Sequence, residues 1–401
     1  MPTINLDMFQ TLALGVLVLM LGSFMKKKIH FLETFCIPAP VAGGLVFAIA
    51  TCILYATGVV EFSFDETLKT ACMVMFFTSV GFQANLKVLK SGGKALVIFL
   101  ILVAVLIVCQ NGLALGVSHI IGVDPLVGMC TGSIPMVGGH GTAGSFGVTL
   151  QEMGLDSAMT LSVAAATFGL VCGSLIGGPL ARRLIVRHKL MDTLPEDVKN
   201  ASAASQTGDD HESNRLSKNK IAPAVYQLAL AMGIGTIVSA LLSKTGMTFP
   251  IYIGAMIVAA VIRNVSEFTG KFEVPMDEIG TIGDVALNLF LGVAMITLKL
   301  WQLAEMAGPL VILLAAQAIF MAFYAYFVVF NVMGRTYDAA VLTAGTCGFG
   351  MGATPNAMAN MQAVTQKFAP SVQAFLLVPI VGSLFADFIN SLVLSFFLSA
   401  I

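Results

Sequence analysis

The sequence predicts an all-α polytopic membrane protein, an inverted-topology repeat of two five-span halves, each with a re-entrant Gly-rich hairpin loop. Three observations predict this fold. Of 401 residues, 57% are apolar and only 11% are charged, about half the charge of a soluble domain. The apolar residues form ten runs that could cross a bilayer. Two further stretches, one in each half, are apolar but broken by glycine and proline.

The N-terminal repeat is residues 1–181. Its five predicted spans, each within or near the length that a membrane helix needs, are 9–25, 38–57, 68–85, 95–119 and 157–181. The first run ends on three lysines and lacks a small-residue cleavage site, so it is predicted to stay as a transmembrane helix. Before the fifth run, residues 120–147 contain eight glycines and two prolines.

Residues 182–220 are predicted to form a flexible linker. They hold 14 of the charged residues and show no apolar periodicity, which is typical of an unpacked tether. The C-terminal repeat, residues 221–401, then has five spans and a second Gly-rich stretch at 339–361. Those spans are 221–242, 250–262, 279–298, 308–330 and 372–398.

Lysine and arginine positions predict the orientation, because cytoplasmic loops carry the positive residues. With ten alternating spans and the N-terminus outside, 18 bases lie inside and three lie outside. Both termini are therefore expected to be extracytoplasmic and the linker cytoplasmic.

The two halves match in position as well as in span count. The pair Asp65-Glu66 recurs at Asp277-Glu278, 212 positions later, and Gly132 recurs at Gly345, 213 positions later. An odd number of spans per half inverts the second copy, as in many secondary transporters. In such folds the substrate binds near the midplane, at the breaks of discontinuous helices.

The predicted binding site is therefore the tips of the two Gly-rich stretches, at residues 138–142 and 350–356. Glycine permits close backbone approach, while Pro135 and Pro355 prevent a continuous helix. Helix N-termini attract a carboxylate, and the oxygens of Thr142, Thr354 and Asn356 suit a hard cation such as Na⁺. The alternative interpretation is ordinary close packing of small residues between helices.

Polar residues inside the spans are predicted to have different roles. Asp387 lies mid-span, where a carboxylate needs a partner, and is predicted to bind an ion or carry a proton. Asn390 follows it on the same helix face as a possible co-ligand. His140 could bond substrate or hold its loop, and the residues leave both roles open. Amides in other spans are more typical of bonds between helices: Gln110, Asn111, Asn288 and Gln317.

Several classes of function are excluded. A net charge of −1 without a basic patch does not suit nucleic acid. The seven cysteines are scattered through apolar segments without metal-ligand or disulfide spacing. No phosphate-binding G-x-x-x-x-G-K-[ST] motif is present, so a gradient is the predicted energy source. We expect no organic cofactor and no enzymatic activity.

The paired motifs GSIPMVGGHGTAG and AGTCGFGMGATPNAMANMQAVT resemble those of the bacterial sodium/glutamate symporters, the glutamate:sodium symporter family. The resemblance extends to IPAPVAGGLV, ATFGLVCGSLIGGPLARRL and LKLWQLA, and so covers nearly the whole chain except the linker. It implies Na⁺-coupled uptake of L-glutamate across the bacterial inner membrane by a homodimer, through an elevator-like movement. Val137 departs from the small hydroxyl residue expected before the glycine pair.

Together these observations give two sets of candidate residues. The substrate-binding candidates are Ser133, Gly138, Gly139, His140, Gly141, Thr142, Gly350, Gly352, Ala353, Thr354 and Asn356. The candidate Na⁺ ligands are Thr142, Thr354, Asn356, Asn360, Asp387 and Asn390. The alternative functions are a Na⁺- or H⁺-coupled carrier of another di- or tricarboxylate, or an ion channel that uses re-entrant loops.

Overall fold

The computed structural model describes residues 2–34, 37–86, 93–194, 217–244, 251–301 and 306–401, and these are mostly helical. The described part also contains a two-stranded parallel sheet, in which Thr3 pairs with Glu61. The predicted helical architecture holds for most of the described residues, but the prediction did not include this short sheet. Both strands are four residues long and lie outside the predicted spans, where β-branched and aromatic residues alternate with polar ones.

Within the described residues before 195, the chain forms two strands and nine α-helices. α1 begins at an Asp7 cap whose carboxylate accepts bonds from two backbone N–H groups, while Gln10 bonds back. The elements are β1 (Thr3–Leu6), α1 (Met8–Lys28), α2 (His30–Thr34), α3 (Ala39–Ala56), β2 (Glu61–Phe64), α4 (Thr67–Gln83), α5 (Gly93–Ile121), α6 (Pro125–Met129), α7 (Ser133–Met136), α8 (Gly139–Glu152) and α9 (Ala158–Arg187).

After the linker come eight α-helices within the described residues. α13 contains a π-helical turn at Tyr324–Val329, and another π-helical segment, Ile380–Phe385, joins the last two helices. The helices are α10 (Lys218–Ser243), α11 (Ile253–Thr269), α12 (Met276–Ile296), α13 (Ala307–Val332), α14 (Tyr337–Gly350), α15 (Thr354–Thr365), α16 (Val372–Pro379) and α17 (Ala386–Ala400).

The chain is a multi-pass membrane protein. In the described residues, seven helices are long and apolar enough to cross a bilayer, and the last, bent span makes an eighth. The two remaining predicted spans correspond to α4 and α11, which have 17 residues each and so measure about 26 Å. Pro250, the predicted start of one of them, lies outside the described residues.

The predicted linker, residues 182–220, includes residues that are helical in the structure. α9 continues to Arg187, a 3-10 helix follows at Leu190–Thr193, and α10 already begins at Lys218. Leu184, Ile185 and Leu190 are buried in the core, so an apolar face continues beyond the predicted end of the span. Residues 195–216 of the linker lie outside the described residues.

The helices pack as two groups. The six-helix group is α1, α3, α4, α10, α11 and α12, and the break-bearing group is α5–α9 with α13–α17. Contacts between the groups are few and run mainly through α12 with α8 and through α4 and α11 with the last span. Each group combines helices from both halves of the sequence.

Glycines on α9 let the break-bearing group pack closely. A Cβ at Gly169 would lie 2.3 Å from the carbonyl oxygen of Met351, and one at Gly173 would lie 2.7 Å from that of Cys347. These two glycines are four residues apart and share one helix face. α9 thus holds the end of α14 at backbone contact, which fixes the position of the break that follows it.

Candidate functional site

A cavity of about 270 Å³, here called the central cavity, lies where the two helix groups meet. One wall comes from the break-bearing group and includes both predicted loop tips: Val137, Gly138, Gly139, His140, Gly141, Gly352, Ala353, Thr354, Pro355 and Asp387. The other wall comes from α4, α12 and the start of α3: Pro38, Phe76, Val80, Gln83, Leu287 and Leu291. Sequence positions more than 200 residues apart therefore face one space.

The first break separates α7 from α8 at Val137 and Gly138. Gly139 has φ of +57°, in the left-handed region that favours glycine. A Cβ there would also lie 2.8 Å from the carbonyl oxygen of Gly352 in the second break. The backbones of the two breaks therefore touch, and a side chain at Gly139 would separate them.

The second break separates α14 from α15. Ala353 caps α15 in an extended conformation, and Pro355 stands in its first turn, where a missing N–H has no cost. On the other side of this break, Gln110 of α5 holds the end of α14. Its Nε2 donates to the carbonyl oxygen of Gly350 at 2.7 Å. Gly350 itself packs on Leu106 and Met321 behind the break.

Two helix N-termini thus open onto the central cavity, those of α8 with 14 residues and α15 with 12. The first N–H groups of a helix have no partner inside that helix, and the aligned peptide dipoles make this end positive. No lysine or arginine is among the described residues that line the cavity. An anion there would be bound by backbone dipoles and N–H groups.

His140 is 5% exposed and is held by α9. Its Nε2 lies 3.0 Å from Oγ1 of Thr167, and that hydroxyl donates to the carbonyl oxygen of Val163. Because a hydroxyl has one proton, this network assigns the donor role to Nε2 of His140. In the neutral ring Nδ1 is then an acceptor. The neighbouring Thr142 is also buried and packs its side chain against Gly138.

Asp387 enters the cavity from a break in the last span. The chain bends by 43° between Val372–Gly382 and Ala386–Ala400, and Asp387 stands in the first turn of α17. No donor within the described residues bonds or pairs with its carboxylate. A carboxylate at membrane depth without a protein partner calls for a bound cation or a proton.

Three residues of α15 extend the site behind the second break. Thr354 lines the cavity. Asn356 is fully buried, and its Nδ2 donates to the carbonyl oxygen of Leu170, but its Oδ1 has no partner among the described residues. Asn360 donates to the carbonyl oxygens of Gly173 and Ala344. The amide of Asn356 thus leaves one buried oxygen free to accept a cation or a donor.

Ser133 and Asn390 belong to a buried network that does not line the cavity. Asn111 accepts from the backbone N–H of Ser133 at 2.9 Å and donates to its hydroxyl at 2.8 Å. That hydroxyl donates to Oδ1 of Asn390 at 2.6 Å, and Asn390 returns a bond to the Ser133 carbonyl oxygen. These bonds tie α7 to α5 and α17. The arrangement is that of a structural clamp on the first break.

The clamp gives a stability prediction. Asn111→Ala leaves the buried N–H and hydroxyl of Ser133 short of partners, and each unsatisfied buried group costs about 1–3 kcal/mol. We expect a free energy of unfolding lower by about 2–4 kcal/mol, seen as a lower melting temperature in detergent micelles. Asn288→Ala is the matched control, because the amide of Asn288 donates only within its own helix. Equal melting temperatures for the two variants would contradict the clamp.

The candidates therefore divide into cavity residues and supporting residues. The cavity is lined by residues 138–141, residues 352–354 and Asp387. Thr142, Gly350 and Asn356 belong to the tips but do not line the cavity, and Ser133, Asn360 and Asn390 bond helices together. Sequence reasoning did not include Tyr252 of the six-helix group, which is fully buried with its hydroxyl beside Ser145 and Ser391 and near Asp387. Its neighbours are more than 100 positions away, so no local pattern could indicate it.

Comparison with known proteins adds a family match. The family model described as sodium/glutamate symporter matches residues 4–370. The sodium/glutamate symporter of Escherichia coli (strain K12) is 40% identical over 395 residues, which are 98% of either chain. That of Haemophilus influenzae is 40% identical over 387 residues, which are 96% of either chain.

Among solved structures, the chain is similar to a sodium proton antiporter from Methanocaldococcus jannaschii at pH 8. The TM-score is 0.42 and the sequence identity 15%, with 98% of this chain and 96% of that chain covered.

Proposed function

The chain belongs to the sodium/glutamate symporter family, and on that premise we propose that it carries L-glutamate into the cell together with Na⁺. It is then a secondary active transporter of the bacterial inner membrane, with Na⁺ as coupling ion and no organic cofactor. One observation carries the proposal: two helix N-termini and one unpaired carboxylate meet at the central cavity. The first feature suits an anionic substrate and the second suits a cation.

The N-termini of α8 and α15 suit the two carboxylates of glutamate. An N-terminus binds an anion through free N–H groups and its positive dipole, and the glycines at both tips allow a ligand to approach the backbone. A substrate with two carboxylates could engage both helix ends at once. His140 of the first tip lines the cavity, and its Nδ1 would accept a bond from the substrate ammonium group.

The Na⁺ ion would bind on the other side of the second break. Na⁺ prefers oxygen ligands, as hard cations do, and the nearby oxygens are the Asp387 carboxylate, the Thr354 hydroxyl and the free Oδ1 of Asn356. Thr354 lies close to the bent last span, since its Oγ1 would be 3.2 Å from a Cβ at Gly382. Without a cation, Asp387 would face the substrate carboxylates as a like charge. This gives a physical reason for coupling.

We extend the proposal to an inverted repeat of residues 1–181 and 221–401, with both termini extracytoplasmic, the linker cytoplasmic, and re-entrant loops at α6–α8 and α14–α15. The order of elements supports it. α3 and α11 begin 214 positions apart, as do α5 and α13. Within the described residues, four longer helices precede the broken segment in each half: α1, α3, α4 and α5 in the first, and α10, α11, α12 and α13 in the second.

The two helix groups support alternating access of the elevator type. The break-bearing group holds the substrate and ion residues, and it meets the six-helix group along a boundary with few contacts. Sliding of the first group would move the central cavity along α4 and α12. We also propose that the transporter is a homodimer, as the resemblance implies. Light scattering of the solubilised protein measures this oligomeric state.

The test is uptake of labelled L-glutamate into proteoliposomes, under an inward Na⁺ gradient and under a matched choline gradient. We expect accumulation only with Na⁺, undiminished by excess aspartate or citrate. A proton-coupled carrier, which the unpaired Asp387 also permits, would accumulate substrate in choline when the outside is acidic. A channel would show flux that does not saturate with glutamate. Accumulation of citrate in place of glutamate would show that the substrate is another carboxylate.

A further inference from the structure

A second cavity, of about 540 Å³, lies at the end of α9 and the end of α15 and shares no lining residue with the central cavity. We call it the basic groove. Four bases line it, Arg182, Arg183 and Arg187 from α9 and Lys367 from the residues after α15, and no acidic residue is among the described residues that do. The remaining lining is apolar and includes Pro179, Val186, Ala363, Val364 and Phe368.

The proposed topology places the groove at the level of the lipid headgroups. α9 has 30 residues and is therefore about 45 Å long, whereas the hydrocarbon core of a bilayer is about 30 Å thick. Gly178, the first groove residue, stands about 30 Å along α9. In the proposed topology, all the groove residues of α9 thus lie where the cytoplasmic leaflet presents its phosphates.

The apolar surface runs from the groove toward the hydrocarbon core. Leu175, Pro179, Arg182 and Val186 share one face of α9, and Leu175 and Val186 are 57% and 62% exposed. An acyl chain lying along this face would cover the apolar side chains while its headgroup reached the bases. A free inorganic anion would leave this surface exposed.

The bases are available to a ligand. Arg187 donates to the hydroxyl of Tyr326 at 3.3 Å, which fixes one side of the groove. The ion pairs within the described residues involve other side chains and none of Arg182, Arg183 or Lys367. Three cations grouped at a phosphate-level cavity are a site for an anionic headgroup.

We propose that the basic groove binds an anionic phospholipid of the cytoplasmic leaflet, with its phosphate on Arg182, Arg183 and Lys367 and an acyl chain along α9. Both walls belong to the break-bearing group, so the lipid would stay with that group. The position in the leaflet follows from the proposed topology, whereas the charge and the apolar wall do not depend on which substrate the protein carries.

The test uses the purified full-length chain, delipidated in detergent micelles and titrated with phosphatidylglycerol or phosphatidylcholine. Native mass spectrometry counts the bound lipids and gives a dissociation constant. We expect phosphatidylglycerol to bind tightly and phosphatidylcholine weakly. In R182Q/R183Q/K367Q the dissociation constant for phosphatidylglycerol should rise about 100-fold, since each base near a membrane phosphate contributes about a factor of five.

The matched control is K26Q/K27Q/K28Q, which removes the same charge from the end of α1 and should bind as the unaltered chain does. Equal losses in both variants would show a general charge effect and overturn the proposal. So would equal affinity for the two lipids, or displacement of phosphatidylglycerol by inorganic phosphate, which would make the groove a site for free anions.

A measurement without any variant guards against misfolding. Phenylglyoxal modifies accessible arginines, and peptide mapping reads out Arg182 and Arg183 separately. Phosphatidylglycerol should protect both from modification at least fivefold, while phosphatidylcholine should not. Modification at the same rate with either lipid would contradict the site. Glutamate uptake does not enter any of these readouts, so the proposal stands or fails independently of the proposed function.

Discussion

Asp387→Asn is expected to lower Na⁺-driven glutamate accumulation by about 100-fold. The carboxylate of Asp387 is the acidic group among the described residues that line the central cavity. Without it, a Na⁺ ion would enter a membrane-embedded cavity with no counter-charge, and an unpaired charge at this depth costs about 3 kcal/mol. The initial rate of uptake into proteoliposomes under an inward Na⁺ gradient measures the loss.

The control is Asp284→Asn, which removes a carboxylate from α12 that does not line the central cavity. It should keep Na⁺-driven uptake within a few-fold of the unaltered protein. If Na⁺ still stimulates glutamate uptake in Asp387→Asn, Asp387 is not a ligand of the ion. If Asp387→Asn loses uptake and an acidic outside drives uptake by the unaltered protein, Asp387 instead has the role of proton carrier.

The second large effect is expected for Gly139→Val. A β-branched residue at φ of +57° is strained by about 1–3 kcal/mol, and its Cβ would lie 2.8 Å from the Gly352 carbonyl oxygen. The backbones of the two breaks must then separate, which moves both helix N-termini away from a shared substrate. We expect both glutamate binding and uptake to fall at least tenfold, by about 1.4 kcal/mol or more.

Gly116→Val serves as its control, because a Cβ at Gly116 in α5 would meet nothing within 4 Å. That variant should bind and transport glutamate normally. Binding is measured by isothermal titration with saturating Na⁺, and circular dichroism reports the helix content of both variants. Normal glutamate binding in Gly139→Val would show that the contact between the tips does not shape the site.

The sequence alone predicted the class of the molecule and most of its helices. Runs of apolar residues indicate membrane helices because the bilayer demands an apolar surface and internally satisfied backbone groups, and both demands act locally. The same reasoning predicted the two breaks, since glycine and proline act on their own backbone. It placed the linker boundaries less well, because the burial of Leu184 and Leu190 depends on packing by distant helices.

The roles of single residues needed the tertiary structure. Asp387, Asn390 and Ser133 are all polar residues in apolar segments, and the sequence makes all three of them candidates. The fold bonds Ser133 to both Asn390 and Asn111, whereas it leaves the carboxylate of Asp387 facing the cavity. Whether a polar group is satisfied depends on its neighbours in space.

The same division holds for the whole protein. Helix formation, membrane insertion and the positions of the breaks follow from local covalent chemistry and from transfer between water and lipid, so the order of residues determined them. The contact of Gly139 with Gly352, the approach of Tyr252 to the last span and the grouping of bases around the end of α9 join segments from distant parts of the chain. Only the packing of the folded helices decides such contacts, because the energy of each depends on which surfaces meet.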